Sequence, residues 1–319
     1  MSGAVVEPSL VLRSPPAWER LSRAAFRVRQ HYRYVYPSPI HDLHQRLMML
    51  PPEEHGGQRL LQRELRVEGA DEMRMLSQID RFGNVVYHIS SPSVREAVEF
   101  TAEFTVERFA VTQPLRVPDD EAVDQYLTRT AMTAPDARIR EEARALSAEI
   151  NATPARELAA EVLPKGAFAL DVEGVRQWAA AQCGFLWAAR AITYQYGTTG
   201  VQTPAAMALH LGRGVCQDYA HLAIAMLREL GVPVRYVSGH LLGEGAPHAW
   251  IEALLPDPDA PGELRVVPYD PTHRITPGLN YITVAIGRDY SDIAPTSGTF
   301  QGASGHFTAR KNAWIVELA

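Results

Sequence analysis

Residues 212–231, GRGVCQDYAHLAIAMLRELG, decide the reading of this 319-residue chain. Counting from Tyr219, apolar side chains fall at Tyr219, Leu222, Ala223, Met226, Leu227 and Leu230. That i, i+3, i+4, i+7 rhythm predicts a helix with one buried face. Gly231 closes it as a C′ glycine, with Pro233 just beyond. A glycine-flanked turn therefore delivers Cys216 to the helix start, where first-turn N–H groups lack acceptors and the positive end of the dipole favours an anion. A thiolate is such an anion.

Downstream, VPVRYVSGHLL (232–242) and HAWIEALL (248–255) read as strands around a glycine-containing loop, 243–247. ELRVVPYD (263–270) follows a proline-rich break. A symmetric hairpin centred near Asp259 would set His248 opposite Asp270 on one sheet face, about 5 Å apart at the backbone. A nucleophilic thiol needs a base and a third group to orient that base, and Cys216, His248 and Asp270 are the candidates. Taken singly, each has a plainer reading: a packed cysteine, a strand histidine and an Asp-Pro turn.

The other polar residues carry less. Cys183 lies in an apolar helical stretch with no basic neighbour in sequence and reads as a structural thiol. Asp218 is assigned to the helix start, His221 to a solvated or packing position, and Trp250 to the core or to shielding the His248 ring. His240, His273 and His306 lack a metal-ligand spacing such as HExxH, so neither a metal nor a cofactor is expected.

Toward the N-terminus the period changes to two: FRVRQHYRYVY (26–36), LLQRELRVEG (60–69) and VEFTAEFTVERF (98–109) alternate as strands, and Gly83-Asn84 in DRFGNVVYHIS marks a turn. From Asp120 the composition shifts to Ala, Glu, Arg and Leu, and helices are expected over about 120–130, 135–150 and 154–163. Asp171 caps a longer helix containing Trp178, Phe185 and Leu186. The resulting class is α+β: a disordered arm over 1–18, an all-β, sandwich-like domain over 19–113, a helical connector over 114–165, and a core of helices on an antiparallel sheet over 166–319.

Lys and Arg total 31 against 37 acidic residues, a formal charge of −6 with no basic block, so no nucleic-acid partner is expected. Two cysteines make no disulfide framework, and the N-terminus lacks a signal-peptide pattern, so a cytoplasmic protein without a membrane partner is expected. Composition leaves the oligomeric state open.

GRGVCQDYAHLAIAMLRELGVPVRYVSGHLL, HAWIEALL, YDPTH and GRDYSDIAP, in that order, resemble the transglutaminase-like superfamily in its bacterial cysteine-protease-like branch. The resemblance covers roughly 167–295, and the β region carrying HYRYVYPSPI and DRFGNVV is similar to the domain that precedes the core in this branch. It implies a papain-like core in which Cys216 is the nucleophile, His248 the general base and Asp270 the orienting acid. The implied chemistry is thiol-dependent acyl transfer on a peptide, isopeptide or glutamine side-chain amide of a peptide or protein substrate, with hydrolysis ahead of crosslinking. A non-catalytic peptide-binding module on the same fold is the reading from another class. The oxyanion donors would be the Cys216 amide and one more group, with Gln202 and Tyr194 as candidates.

Overall fold

The structure is a computed structural model and describes residues 17–110, 114–118, 120–164 and 170–319. The expected arm over 1–18 lies outside the described residues except for its last two, and Trp18 opens a short 3-10 turn, Trp18–Arg20. Six strands follow: β1 (Arg23–Val35), β2 (Ile40–Leu47), β3 (Glu54–His55), β4 (Gln58–Asp71), β5 (Arg74–Ile79) and β6 (Val85–Phe109). The alternation seen in the sequence buries Phe100, Ala102, Phe104 and Val106 along one side of β6. This 25-residue strand is the spine of the sheet, pairing antiparallel with β1, β2, β4 and β5. The turn before it has Gly83 at φ +88° and Asp80 Oδ1 accepting from the amides of Phe82 and Asn84, 2.9 Å each.

The middle of the chain holds β7 (Arg116–Pro118), α1 (Glu121–Asp124), α2 (Ala137–Ala152), α3 (Ala155–Val162), α4 (Val172–Ala191), β8 (Thr193–Tyr194), α5 (Ala205–Leu211), β9 (Arg213–Gly214) and α6 (Cys216–Glu229). Asp136 and Asp171 cap α2 and α4, accepting from Ile139 N at 2.9 Å and Gly174 N at 2.8 Å. The helix expected over 120–130 is a single turn. The Thr130 and Thr133 hydroxyls bond each other at 2.8 Å, and Thr133 N donates to Thr130 Oγ1 at 3.2 Å, a local alternative to helical pairing.

Four strands complete the second sheet: β10 (Val234–Leu241), β11 (His248–Pro256), β12 (Glu263–Tyr269) and β13 (Tyr281–Gly287), ordered β13-β10-β11-β12-β7. Two more, β14 (Thr296–Gln301) and β15 (His306–Leu318), return to the first sheet, β14 against β2 and β15 against β1. This corrects the expected core span 166–319, which included them, and the expected connector 114–165, whose β7 pairs with β12. Alternation along a segment fixes which face is buried, but not which sheet edge receives the strand.

Helices α4 and α6 pack on one face of the second sheet, with Leu222, Ala223, Met226 and Leu227 fully buried. Toward the other face, Ile282 and Val284 of β13 join the core of the first sheet. Two buried amide side chains also serve β13. Gln58 donates to Thr283 O at 2.8 Å and accepts from Thr283 N at 2.9 Å; Asn84 does the same with Ile286 O and N, at 2.7 and 2.8 Å. Each stands in for a missing strand partner. Among the described residues, no helix is long and apolar enough to cross a membrane.

Candidate active site

Cys216 is the first residue of α6 and is partly accessible. Val215, extended at φ −115°, is the N-cap, and its amide donates to Asp218 Oδ2 at 2.7 Å. Thr199 Oγ1 donates to the same oxygen at 2.6 Å, so Asp218 holds the turn that presents the thiol. A Cβ on Gly214 would lie 2.6 Å from Asp218 Cβ, which explains the glycine two positions before the cysteine. The amides of Cys216 and Gln217, in the first turn, have no acceptor within the helix.

His248 opens β11 and is 2% exposed; Asp270, just beyond β12, is 0% exposed. Their strands pair from Ile251↔Tyr269 to Pro256↔Leu264, a register that brings Asp270 level with Trp250 rather than His248. The expected alignment is thus displaced by two residues. A two-residue displacement preserves side-chain parity, so both side chains still share a face and meet diagonally. His248 Nε2 and Asp270 Oδ2 are 2.7 Å apart. The same oxygen accepts from Tyr281 OH at 2.6 Å and contacts His273 Nδ1 at 2.8 Å, while Oδ1 accepts from the amides of Thr272 at 2.9 Å and His273 at 3.2 Å.

Charge in this cluster follows from those contacts. Burial opposes ionisation of Asp270, but the bonds from His248, His273 and Tyr281 outweigh it and hold the carboxyl well below the usual range. Burial likewise opposes a proton on His248, yet hydrogen bonds with Asp270, Cys216 and Glu244 raise its pKa to about 11. Nε2 is committed to Asp270, and Nδ1, on the other side of the ring, lies 3.3 Å from Glu244 Oε2. Behind the ring, Trp250 lies near-parallel at a centroid distance of 6.2 Å, and Tyr281 meets Trp250 edge-on at 5.3 Å. Trp250 is thus both a core residue and a wall of the site.

The sequence spacing of Glu244, His273 and Tyr281 marks none of them as a site residue. YDPTH pointed to His273's neighbourhood alone. Tyr194 is drawn close because β8 pairs with β9, Tyr194 opposite Gly214; burial first and the nearby Cys216 second raise its phenol pKa. Gln202 is exposed and makes no side-chain hydrogen bond among the described residues. His221 is fully buried rather than solvated, its Nε2 accepting from Tyr290 N at 3.2 Å. Arg228 accounts for part of the Arg288-Asp289-Tyr290 stretch: it donates to Arg288 O at 2.8 Å and to Tyr126 O at 2.7 Å, tying α6 to that loop. Cys183 is half-buried in α4, and burial pushes its thiol pKa up.

Residues 170–271 match the transglutaminase-like superfamily core, and residues 26–107 match the bacterial transglutaminase-like N-terminal region. The chain belongs to the transglutaminase-like superfamily. Cys216, His248 and Asp270 all fall inside the superfamily's core segment, whereas β14 and β15 lie outside both matched segments. An uncharacterised protein of Mycobacterium leprae is 31% identical over 288 residues, 84% of this chain and 90% of that one. An uncharacterised Mycobacterium tuberculosis protein is 39% identical over 117 residues, 33% of this chain and 37% of that one. Among solved structures, a proposed cysteine protease from Cytophaga hutchinsonii superposes with a TM-score of 0.66 at 18% identity, covering 92% of this chain and 91% of that one. At that identity the likeness speaks for the fold.

Proposed function

We propose that this transglutaminase-like protein is a thiol-dependent acyl-transfer enzyme acting on amide bonds of a peptide or protein, with hydrolysis as its principal reaction. The observation that carries the reading is the committed His248 ring: Nε2 bound to a buried Asp270, and Nδ1 left for a cysteine at a helix start. A proton on that ring places a positive charge beside the sulfur, the setting in which a thiol becomes a nucleophile. Cys216 Sγ attacks the amide carbonyl carbon, forming a C–S bond. His248 passes its proton to the leaving nitrogen as the C–N bond breaks, giving a thioester and a free amine. Water then adds to the thioester, its proton going to His248, and the carboxylic acid product leaves with the thiol regenerated. The first-turn amide of Cys216 and the Tyr194 hydroxyl are the proposed oxyanion donors.

An amine in place of water would give a crosslink by the same thioester, and tight binding without turnover is the remaining alternative. A peptide library incubated with and without a primary amine separates the three, read by mass spectrometry. The reading expects cleavage or deamidation that disappears in Cys216→Ala. Amine incorporation would replace hydrolysis with crosslinking, and products that survive Cys216→Ala would refute the assignment altogether.

A further inference from the structure

Glu244, His248 and His273 come from separate parts of the fold: the exposed loop 243–247, the start of β11 and the turn after β12. One atom from each lies within 4.8 Å of the other two. Glu244 Oε2 is 3.3 Å from His248 Nδ1, and Glu244 Oε1 is 3.3 Å from His273 Nε2. A tetrahedral zinc ion with bonds of about 2.0–2.1 Å sets its ligand atoms roughly 3.3–3.4 Å apart; each histidine nitrogen stands at that spacing from one oxygen of the Glu244 carboxylate, and the three ligand atoms lie close enough together to converge on one ion.

A second, independent feature supports the same conclusion. Each histidine gives its other ring nitrogen to one buried carboxylate oxygen, Asp270 Oδ2: His248 through Nε2 at 2.7 Å and His273 through Nδ1 at 2.8 Å. A carboxylate behind a histidine is the outer-shell arrangement that fixes the tautomer and turns the free nitrogen toward a metal. Here one carboxylate does this for two rings. The Glu244 and His273 side chains are 36% and 38% exposed, which leaves an entry path from solvent.

We infer that Glu244, His248 and His273 form a zinc-binding site that overlaps the reactive centre and switches it off reversibly. Two imidazole nitrogens and one carboxylate favour a borderline ion such as Zn²⁺ over Ca²⁺ or Mg²⁺, which prefer all-oxygen sites. The ion would displace the proton from His248 Nδ1, the atom proposed to exchange a proton with Cys216 and the leaving amine, so that binding releases this proton to solvent and strengthens as pH rises. That inhibitory consequence rests on the proposed acyl-transfer function; the site itself does not.

The test titrates Zn²⁺ into metal-stripped full-length protein by calorimetry, with Co²⁺ absorption as a spectroscopic probe. Wild type is compared with Glu244→Gln and His273→Ala. The expected result is one Zn²⁺ per chain in the micromolar range or tighter, weakened by about tenfold or more in each variant, with tetrahedral Co²⁺ bands in wild type. Zn²⁺ should also slow alkylation of Cys216 in wild type but not in the variants. Absence of micromolar binding, or binding that both variants leave intact, overturns the inference and leaves the cluster as a hydrogen-bonded ion group. Should His273→Ala fail to fold, the rise in melting temperature with Zn²⁺ in wild type, kept or lost in Glu244→Gln, decides the same question. Zn²⁺ bound here in a protein inert toward every amide would sink the acyl-transfer reading alone; an active protein indifferent to Zn²⁺ would sink this one alone.

Discussion

At the scale of single residues, the site depends on how heavily Asp270 is hydrogen-bonded. Three side chains and two amides converge on its carboxylate, and it in turn fixes the His248 ring. Asp270→Asn keeps the shape but removes the charge and one acceptor, so His248 loses the bond that holds its tautomer. Amide turnover should fall by roughly 100- to 10,000-fold with the circular dichroism spectrum unchanged; turnover within a few-fold of wild type would remove Asp270 from the mechanism. The placement of the three candidate positions is legible in the sequence because each lies in a short motif with its own local logic: a helix start, a strand start and a strand end. That of Tyr281 and Glu244 is not. Their role comes from a hydrogen bond 11 residues away and a loop closure, neither of which leaves a periodic trace.

At the scale of elements, the β11–β12 hairpin carries His248 to Asp270, and its register was predictable only to within its parity. The hairpin is centred one residue later than the symmetric expectation, at 260 rather than 259, which moves the pairing by two residues and leaves both side chains on one face. Gly239 on β10 faces His248 across the sheet. A Cβ there would collide with the Ile282 carbonyl of β13 and come within 2.6 Å of the Trp250 ring. Gly239→Ala should therefore force β10 away from β13 and cost about 1–3 kcal/mol in urea unfolding, with a further loss of turnover as the wall behind His248 shifts. A variant as stable and active as wild type would show that this packing does not position the imidazole. The short α1 has the opposite lesson: Ala/Glu-rich composition suggests a longer helix, yet α1 stops at Asp124 and the chain beyond it runs through turns, with the Thr130 and Thr133 hydroxyls bonded to each other.

For the whole molecule, the two sheets are joined through β13 and through the return of β14 and β15 to the first sheet. Strand character was legible in KNAWIVEL, but its destination beside β1 was set by an open edge nearly 300 residues earlier in the chain, which no local pattern encodes. Asn84 and Gln58 tie the first sheet to β13, and removing either amide leaves a buried backbone N–H and C=O without partners. Asn84→Ala should lower unfolding free energy by about 1–3 kcal/mol per unsatisfied group; a change within a few tenths would mean that water or rearrangement replaces the bonds.

The pH dependence of stability also belongs to this scale. Burial, offset by Asp289 and reinforced by Arg228, pushes the His221 pKa down to about 4, and burial keeps His240 well below its ordinary value. An unfolded histidine titrates near about 6.5, so between that value and about 4 the unfolded chain binds protons that the folded chain refuses. Stability therefore falls as pH drops through this window, by about 3 kcal/mol from His221. His248 behaves oppositely: its folded pKa is raised, so its contribution is complete below about 6.5 and is lost as pH rises toward 11. Urea unfolding across this range should show a shallower acid slope for His221→Gln than for wild type, and equal slopes would contradict the assignment.

As proposed, Cys216 is a nucleophile made reactive by His248, whereas Cys183 is a packed thiol. The direct measurement is the rate at which iodoacetamide alkylates each cysteine at neutral pH, resolved by peptide mass spectrometry, in wild type and His248→Gln. Cys216 is expected to be labelled at least about tenfold faster than Cys183 in wild type, an advantage that collapses in the variant. Equal rates for the two cysteines, or a Cys216 rate untouched by His248→Gln, would contradict the proposal.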